Sequence, residues 1–182
     1  MTGAFVAIVG PSGAGKDTLI AEARRTLAGD GGFVFVRRVV TRPSGTFEEH
    51  DTVGDTEFAR LEAAGAFALS WRAHGLAYGV PSATMAAVEQ GAVAVSNLSR
   101  AAISAARSRF ARVVTILITA PDEVIAARLA ARGRETATAA ASRLAREATL
   151  PTHGASDFLI LNDGSPLEGG GKLVACLRRI GA

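Results

Sequence analysis

A chain of 182 residues has room for one α/β domain with a proper core, and too little for two ordinary domains side by side. A formal charge of +3, no long Lys/Arg run and only 5% aromatic residues argue against a nucleic-acid partner and suit a small polyanionic ligand. The lone cysteine, Cys176, excludes an intrachain disulfide and a multi-thiolate metal site. No apolar run approaches the roughly 20 residues of a membrane span, so a cytoplasmic protein with no membrane partner is expected.

Hydrophobic residues make up 48% of the chain, but many are alanine, a helix former more than a core filler. Ala4 to Val9 is a continuous apolar run closed by Gly10-Pro11, which reads as a strand buried on both faces. From Asp17 to about Ala28 the pattern is helical, and Gly29, Gly31 and Gly32 stop it. Further strands are expected at Phe33 to Val39, Ala92 to Val95, Val113 to Thr119 and Phe158 to Leu161. Helices are expected at Ser82 to Gln90, Ala101 to Phe110, Pro121 to Ala131, Glu135 to Ala148 and Pro166 to Ile180. This alternation predicts an α/β fold with a mostly parallel sheet covered on both faces. Residues 40–81 break the rhythm with a polar loop (Thr41 to Asp55), a short helix (Glu57 to Ala64) and two brief strand-like pieces near Phe67 to Trp71 and Leu76 to Tyr78. They read as an inserted acceptor-binding lobe on a core of residues 1–39 and 82–182.

The segment Gly10-Pro11-Ser12-Gly13-Ala14-Gly15-Lys16-Asp17-Thr18 matches G-x-x-x-x-G-K after a buried strand and before a helix. Glycines let successive N–H groups turn inward around a phosphate, and the helix aims its positive end at the same anion. Lys16 would bridge the β- and γ-phosphates and stabilise charge during transfer. Together these point to an ATP-dependent phosphotransferase of the P-loop kinase type. Asp17 departs from the usual Ser or Thr, whose hydroxyl ligates Mg²⁺. A carboxylate can hold Mg²⁺ as well, and the alternative is a first-turn acid serving the helix dipole while Thr18 meets the metal.

The motifs GPSGAGKDT, VVTRP around Arg42, SWRAHGLAYGV, RLAARGRE and LNDG occur in an order that resembles the guanylate-kinase-like superfamily over nearly the whole chain. The GKD variant, the pair Glu49-His50 and Leu69-Ser70-Trp71 look most like the ribose 1,5-bisphosphate phosphokinases within it. The resemblance implies a P-loop kinase fold: five mostly parallel strands flanked by helices, a small mobile acceptor lobe and a helical lid over about 128–148. It also implies ATP and Mg²⁺ as cofactors, a phosphorylated sugar as acceptor, and a place in phosphonate breakdown.

Residue by residue, the resemblance implies that Arg42, joined by Arg38, holds the acceptor's phosphate through its planar fork of donors. Tyr78 with Gly79 matches a tyrosine-glycine step whose hydroxyl touches that phosphate. Arg128, Arg132, Arg134, Arg143 and Arg146 match lid arginines that close over the phosphates, and Asn162 matches an asparagine beside the adenine. Glu49, His50, Asn97, Ser99 and Arg100 stand where they could bond sugar hydroxyls and a phosphate. Guanylate kinases read guanine with acids in the small lobe and at the end of the central strand. Here Ser70, Val95 and Asn97 occupy those places, so GMP would find no carboxylate acceptor. Bland alternatives stand beside these roles: solvated basic helix faces for the arginines, a turn for Asn162, and a core position for Trp71. A guanylate kinase, or a silent module of the same fold that binds peptides, remains an alternative.

Overall fold

The computed structural model describes residues 3–43, 49–73, 75–131 and 156–182. In chain order the elements are β1 (Ala4–Val9), α1 (Lys16–Thr26), β2 (Phe33–Phe35), β3 (Arg38–Val40), β4 (His50–Thr52), α2 (Asp55–Ala63), β5 (Phe67–Ala73) and β6 (Leu76–Pro81). They continue with α3 (Ala83–Glu89), β7 (Val93–Asn97), a 3₁₀ turn (Arg100–Ala102), α4 (Ile103–Arg109), β8 (Val113–Thr119), α5 (Asp122–Ala131), β9 (Phe158–Leu161) and α6 (Pro166–Gly181).

The main sheet is five parallel strands in the order β2-β7-β1-β8-β9. Its central strand, β1, is buried along its whole length, which explains the unbroken apolar run. One face packs against α1 and α6 through Leu19, Ala23, Leu173 and Leu177. The other packs against α3 and α4 through Val88, Ile103 and Ala106. The chain leaves β1 toward β2 and β7 on one side and returns to β8 and β9 on the other. The carboxyl end of β1 therefore sits at the switch point where ligands bind in open α/β sheets.

The expected single strand from Phe33 to Val39 is instead two. Val36 N–H makes the last bond to the main sheet, at Val95 O, and the chain then crosses at Arg37, which pairs with Asp51 at 2.5 Å. Arg38 opens β3 of a second, four-stranded sheet in the order β4-β3-β6-β5. The polar loop also hides β4, three residues long, and the two brief strand-like pieces form one longer hairpin, β5 and β6. The helix expected from Ala101 begins as a 3₁₀ turn before α4. The predicted helix at Glu135 to Ala148, and with it most of the expected lid, lies outside the described residues. Among the described residues no helix is long and apolar enough to cross a membrane.

Helix α6 starts on a capping box, Ser165 with Glu168, and its hydrogen bonds to Ser165 hold the Glu168 carboxyl below its ordinary range. Cys176 lies on α6 against the core, where burial pushes its thiol up. Beyond the cap, α6 lies close against α1: a Cβ at Gly170 would stand 2.5 Å from Glu22 Cβ. Helix propensity alone favours alanine over glycine by about 1 kcal/mol, whereas overpacking a fixed contact costs about 1–3 kcal/mol. Gly170→Ala should therefore lower the midpoint of chemical denaturation, and a raised midpoint would show that the two helices are not held in this contact.

Candidate active site

The site is built at the carboxyl end of β1. Gly10 leaves the strand at φ 145, and a Cβ there would stand 1.9 Å from Ile118 O of β8, so no other residue fits without moving the sheet. Gly15 caps α1 in the left-handed region at φ 87, and a Cβ there would meet Asn162 Nδ2 at 2.4 Å. No side chain caps the start of α1, so its first amides and its dipole face the loop. Lys16 donates to Gly10 O at 2.7 Å and Pro11 O at 2.9 Å, which holds its ammonium over the loop that its own residue closes.

Asn162, at the end of β9, is 3% exposed and donates from Nδ2 to Ala14 O at 2.7 Å. Arg128 of α5 reaches the same carbonyl at 3.5 Å, the outer limit of a hydrogen bond. A cleft of about 290 Å³ opens beside the loop, lined by Gly13, Thr18, Arg128, Ala131, Asn162 and Pro166 among others. Asp17 and Thr18 diverge, as neighbours on a helix must: Thr18 lines this cleft, and Asp17 accepts from Asn97 Nδ2 at 2.7 Å.

The second sheet supplies a second cluster. Arg38, 7% exposed, sets its guanidinium 5.7 Å from the ring centre of Tyr78. Tyr78 in turn stacks on Trp71 across the β5–β6 hairpin at 5.2 Å and 7°. Arg42 follows β3, and its backbone is fixed by His50 Nε2 and Thr52 Oγ1, which both donate to Arg42 O at 2.9 and 3.0 Å. Thr41 is tied to Ala77 by a backbone bond and by its hydroxyl.

Three residues expected against a ligand also brace the structure. His50 is 2% exposed and holds the backbone of Arg42. Gly79 is buried where a Cβ would stand 2.6 Å from the Phe67 ring, so its smallness serves packing. Asn162 holds the loop through Ala14 O and lines the cleft beside it. Glu49 is exposed and pairs with Arg24 of α1, a tie between lobe and core that sequence reasoning missed. The only signal for Arg24 was a cation in the last turn of a helix. Ser99 and Arg100 are half-buried where the chain leaves β7. Arg132, Arg134, Arg143 and Arg146 lie outside the described residues, so Arg128 alone represents the expected lid. Ser70 shares Glu62 with Arg72, and the Arg72 hydrogen bond is the main cause that holds that carboxyl below its ordinary range.

A buried strand, a glycine loop closing on a lysine and a helix with uncapped amides define a P-loop enzyme of the kinase type. The solved guanylate kinase of Anaplasma phagocytophilum has the same fold, with a TM-score of 0.66 at 22% identity over 98% of this chain and 86% of that one. No family model matches the chain. Ribose 1,5-bisphosphate phosphokinase PhnN of Methylobacterium radiotolerans is 49% identical over 98% of this chain and 99% of its own length. The protein of the same name from Rhodopseudomonas palustris is 47% identical over 97% and 89%. The chain belongs to the ribose 1,5-bisphosphate phosphokinase family.

Removing the Asn162 amide should release the loop. Asn162→Ala is expected to lower stability by about 1–3 kcal/mol, because Ala14 O loses its short bond, and to weaken nucleotide binding in calorimetric titration. Unchanged stability together with unchanged binding would show that the loop holds its shape without this brace.

Proposed function

We propose that the chain transfers the γ-phosphoryl group of Mg-ATP to the 1-phosphate of ribose 1,5-bisphosphate, giving 5-phospho-α-D-ribose 1-diphosphate and ADP. The observation that carries this reading is the pairing of an intact phosphate loop with a lobe that presents Arg38, Arg42 and Tyr78 but no carboxylate at position 70. Near full-length identity to relatives named for this acceptor supports it.

In the transfer, an oxygen of the 1-phosphate forms a bond to the γ-phosphorus as the bridge to the β-phosphate breaks, and the electron pair leaves with ADP. The nucleophile is already an anion, so no general base is needed. The difficulty is electrostatic: each pair of unit charges brought to 4 Å costs about 4 kcal/mol at an effective dielectric of 20, close to a thousandfold in rate. Arg38 and Arg42 meet the acceptor's phosphates, with His50 and Thr52 keeping Arg42 in place. Lys16 and the α1 amides meet the β- and γ-phosphates, and Arg128 reaches the donor from α5. The arginines from 132 onward are assigned to closure over the transferring group. Mg²⁺, when bound, neutralises charge on the triphosphate, and the Asp17 carboxylate is a suitable hard oxygen ligand for it. Among the described residues there is no cluster of three or more His, Cys, Asp or Glu, and a magnesium carried mainly by nucleotide phosphates needs none.

Guanylate kinase is the nearest rival. A guanine edge offers N–H donors, and at positions 70, 95 and 97 it would meet a hydroxyl, a valine and an amide. Incubation of the purified protein with ATP and each acceptor in turn should give ADP with ribose 1,5-bisphosphate and little with GMP. Faster turnover of GMP would overturn the acceptor assignment. Lys16→Met should leave a folded protein whose turnover falls by at least about 100-fold, and full activity in that variant would remove the loop from the chemistry.

A further inference from the structure

The helix that follows the loop and the strand beside β1 are joined by two side chains 80 residues apart, Asn97 Nδ2 donating to Asp17 Oδ1 at 2.7 Å. Asn97 is the last residue of β7, level with Ile8 of β1, and the next amide, Leu98 N–H, bonds Ile8 O at 2.9 Å. The donor therefore stands on backbone tied to the sheet. The acceptor stands on the first turn of α1, immediately after Lys16.

P-loop nucleotide enzymes in general hold magnesium between a hydroxyl on the residue after the lysine and a carboxylate at the end of a neighbouring strand. In this chain the residue after the lysine is the acid, and the strand end carries the amide. We propose that Asp17 and Asn97 are an exchanged pair: the metal-facing carboxylate has moved from strand to helix, and Asn97 is the positioning residue that aims it. The inference rests on the Mg-ATP reading above.

Chemistry favours the pairing in both directions. An ionised carboxylate only accepts hydrogen bonds, so the amide must present its NH₂ to Asp17, and a carboxylate at 97 would instead repel it. An aspartate on a first helical turn can adopt several rotamers. The bond from a sheet-anchored amide engages Oδ1 and leaves Oδ2 as the oxygen for a cation. A hydroxyl at position 17 would need no such orientation, and an amide at 97 cannot supply the negative charge that magnesium takes from one or two carboxylates.

The test is the enhancement of nucleotide affinity by metal: the Kd of a non-hydrolysable ATP analogue with chelator divided by its Kd with Mg²⁺, measured by calorimetry. Asn97→Ala should cut this ratio about 10-fold and leave the affinity in chelator unchanged, a split that simple loss of structure would not produce. Asp17→Ser should cut it further, and the double variant Asp17→Ser/Asn97→Asp should recover most of the loss. Melting temperatures near that of the parent would show that each variant is folded. An unaltered ratio in Asn97→Ala, or a double variant no better than Asp17→Ser, would overturn the exchange while leaving the Mg-ATP reading intact. A parent protein whose affinity is the same with and without Mg²⁺ would overturn both.

Discussion

The direction of one backbone carbonyl, that of Ala14, governs the phosphate loop. A trans peptide is planar, so its C=O and the following N–H point opposite ways. Asn162 holds Ala14 O at 2.7 Å, and the amide of Gly15 is thereby turned the opposite way. The same close approach forbids a side chain at position 15. A buried asparagine on β9, a glycine at the start of α1 and a carbonyl in the loop are thus one device. It has the form of an anion site prepared before any anion arrives, with little reorganisation left for the moment of binding.

The cations assigned to the two phosphate-bearing ligands come from several elements. Lys16 comes from α1, Arg128 from α5, and Arg38 and Arg42 from the start of the second sheet. None of the four is a bare surface charge. Lys16 is held by two loop carbonyls, Arg38 is nearly buried beside an aromatic stack, and the backbone of Arg42 is clamped by His50 and Thr52. Fixing cations in advance matters when two polyanions must be pressed together, because flexible side chains would lose entropy in the same step. The small lobe also reaches back to the core through the ion pair of Arg24 with Glu49. Both partners are substantially exposed, and such a tie contributes little to stability.

The main sheet was legible in the sequence because its central strands are continuous apolar runs, and Ala4 to Val9, Val113 to Thr119 and Phe158 to Leu161 emerge with the expected bounds. The loop was legible because its glycines and lysine are forced by local geometry. The second sheet was less so. Its β3 and β4 are three residues each, too short to show a period, and β3 continues an apolar run that belongs to β2 until Arg37 turns it away. Long-range pairings left no trace in the pattern: Asn97 with Asp17, Glu49 with Arg24 and Asn162 with Ala14 each join residues that only folding brings together. Folding also gives polar residues neighbours that the pattern does not announce: Arg38 lies beside the Tyr78 ring, and His50 holds the backbone of Arg42.

Phosphoryl transfer by this chain requires the triphosphate of ATP to lie within the loop at residues 10–18. Amide chemical shifts followed by NMR during titration with ATP and Mg²⁺ address this directly. Large shifts at Gly13, Gly15, Lys16 and Asp17 that saturate with nucleotide are the expected result. A titration that saturates while these amides stay unmoved, with the perturbed residues elsewhere, would contradict it.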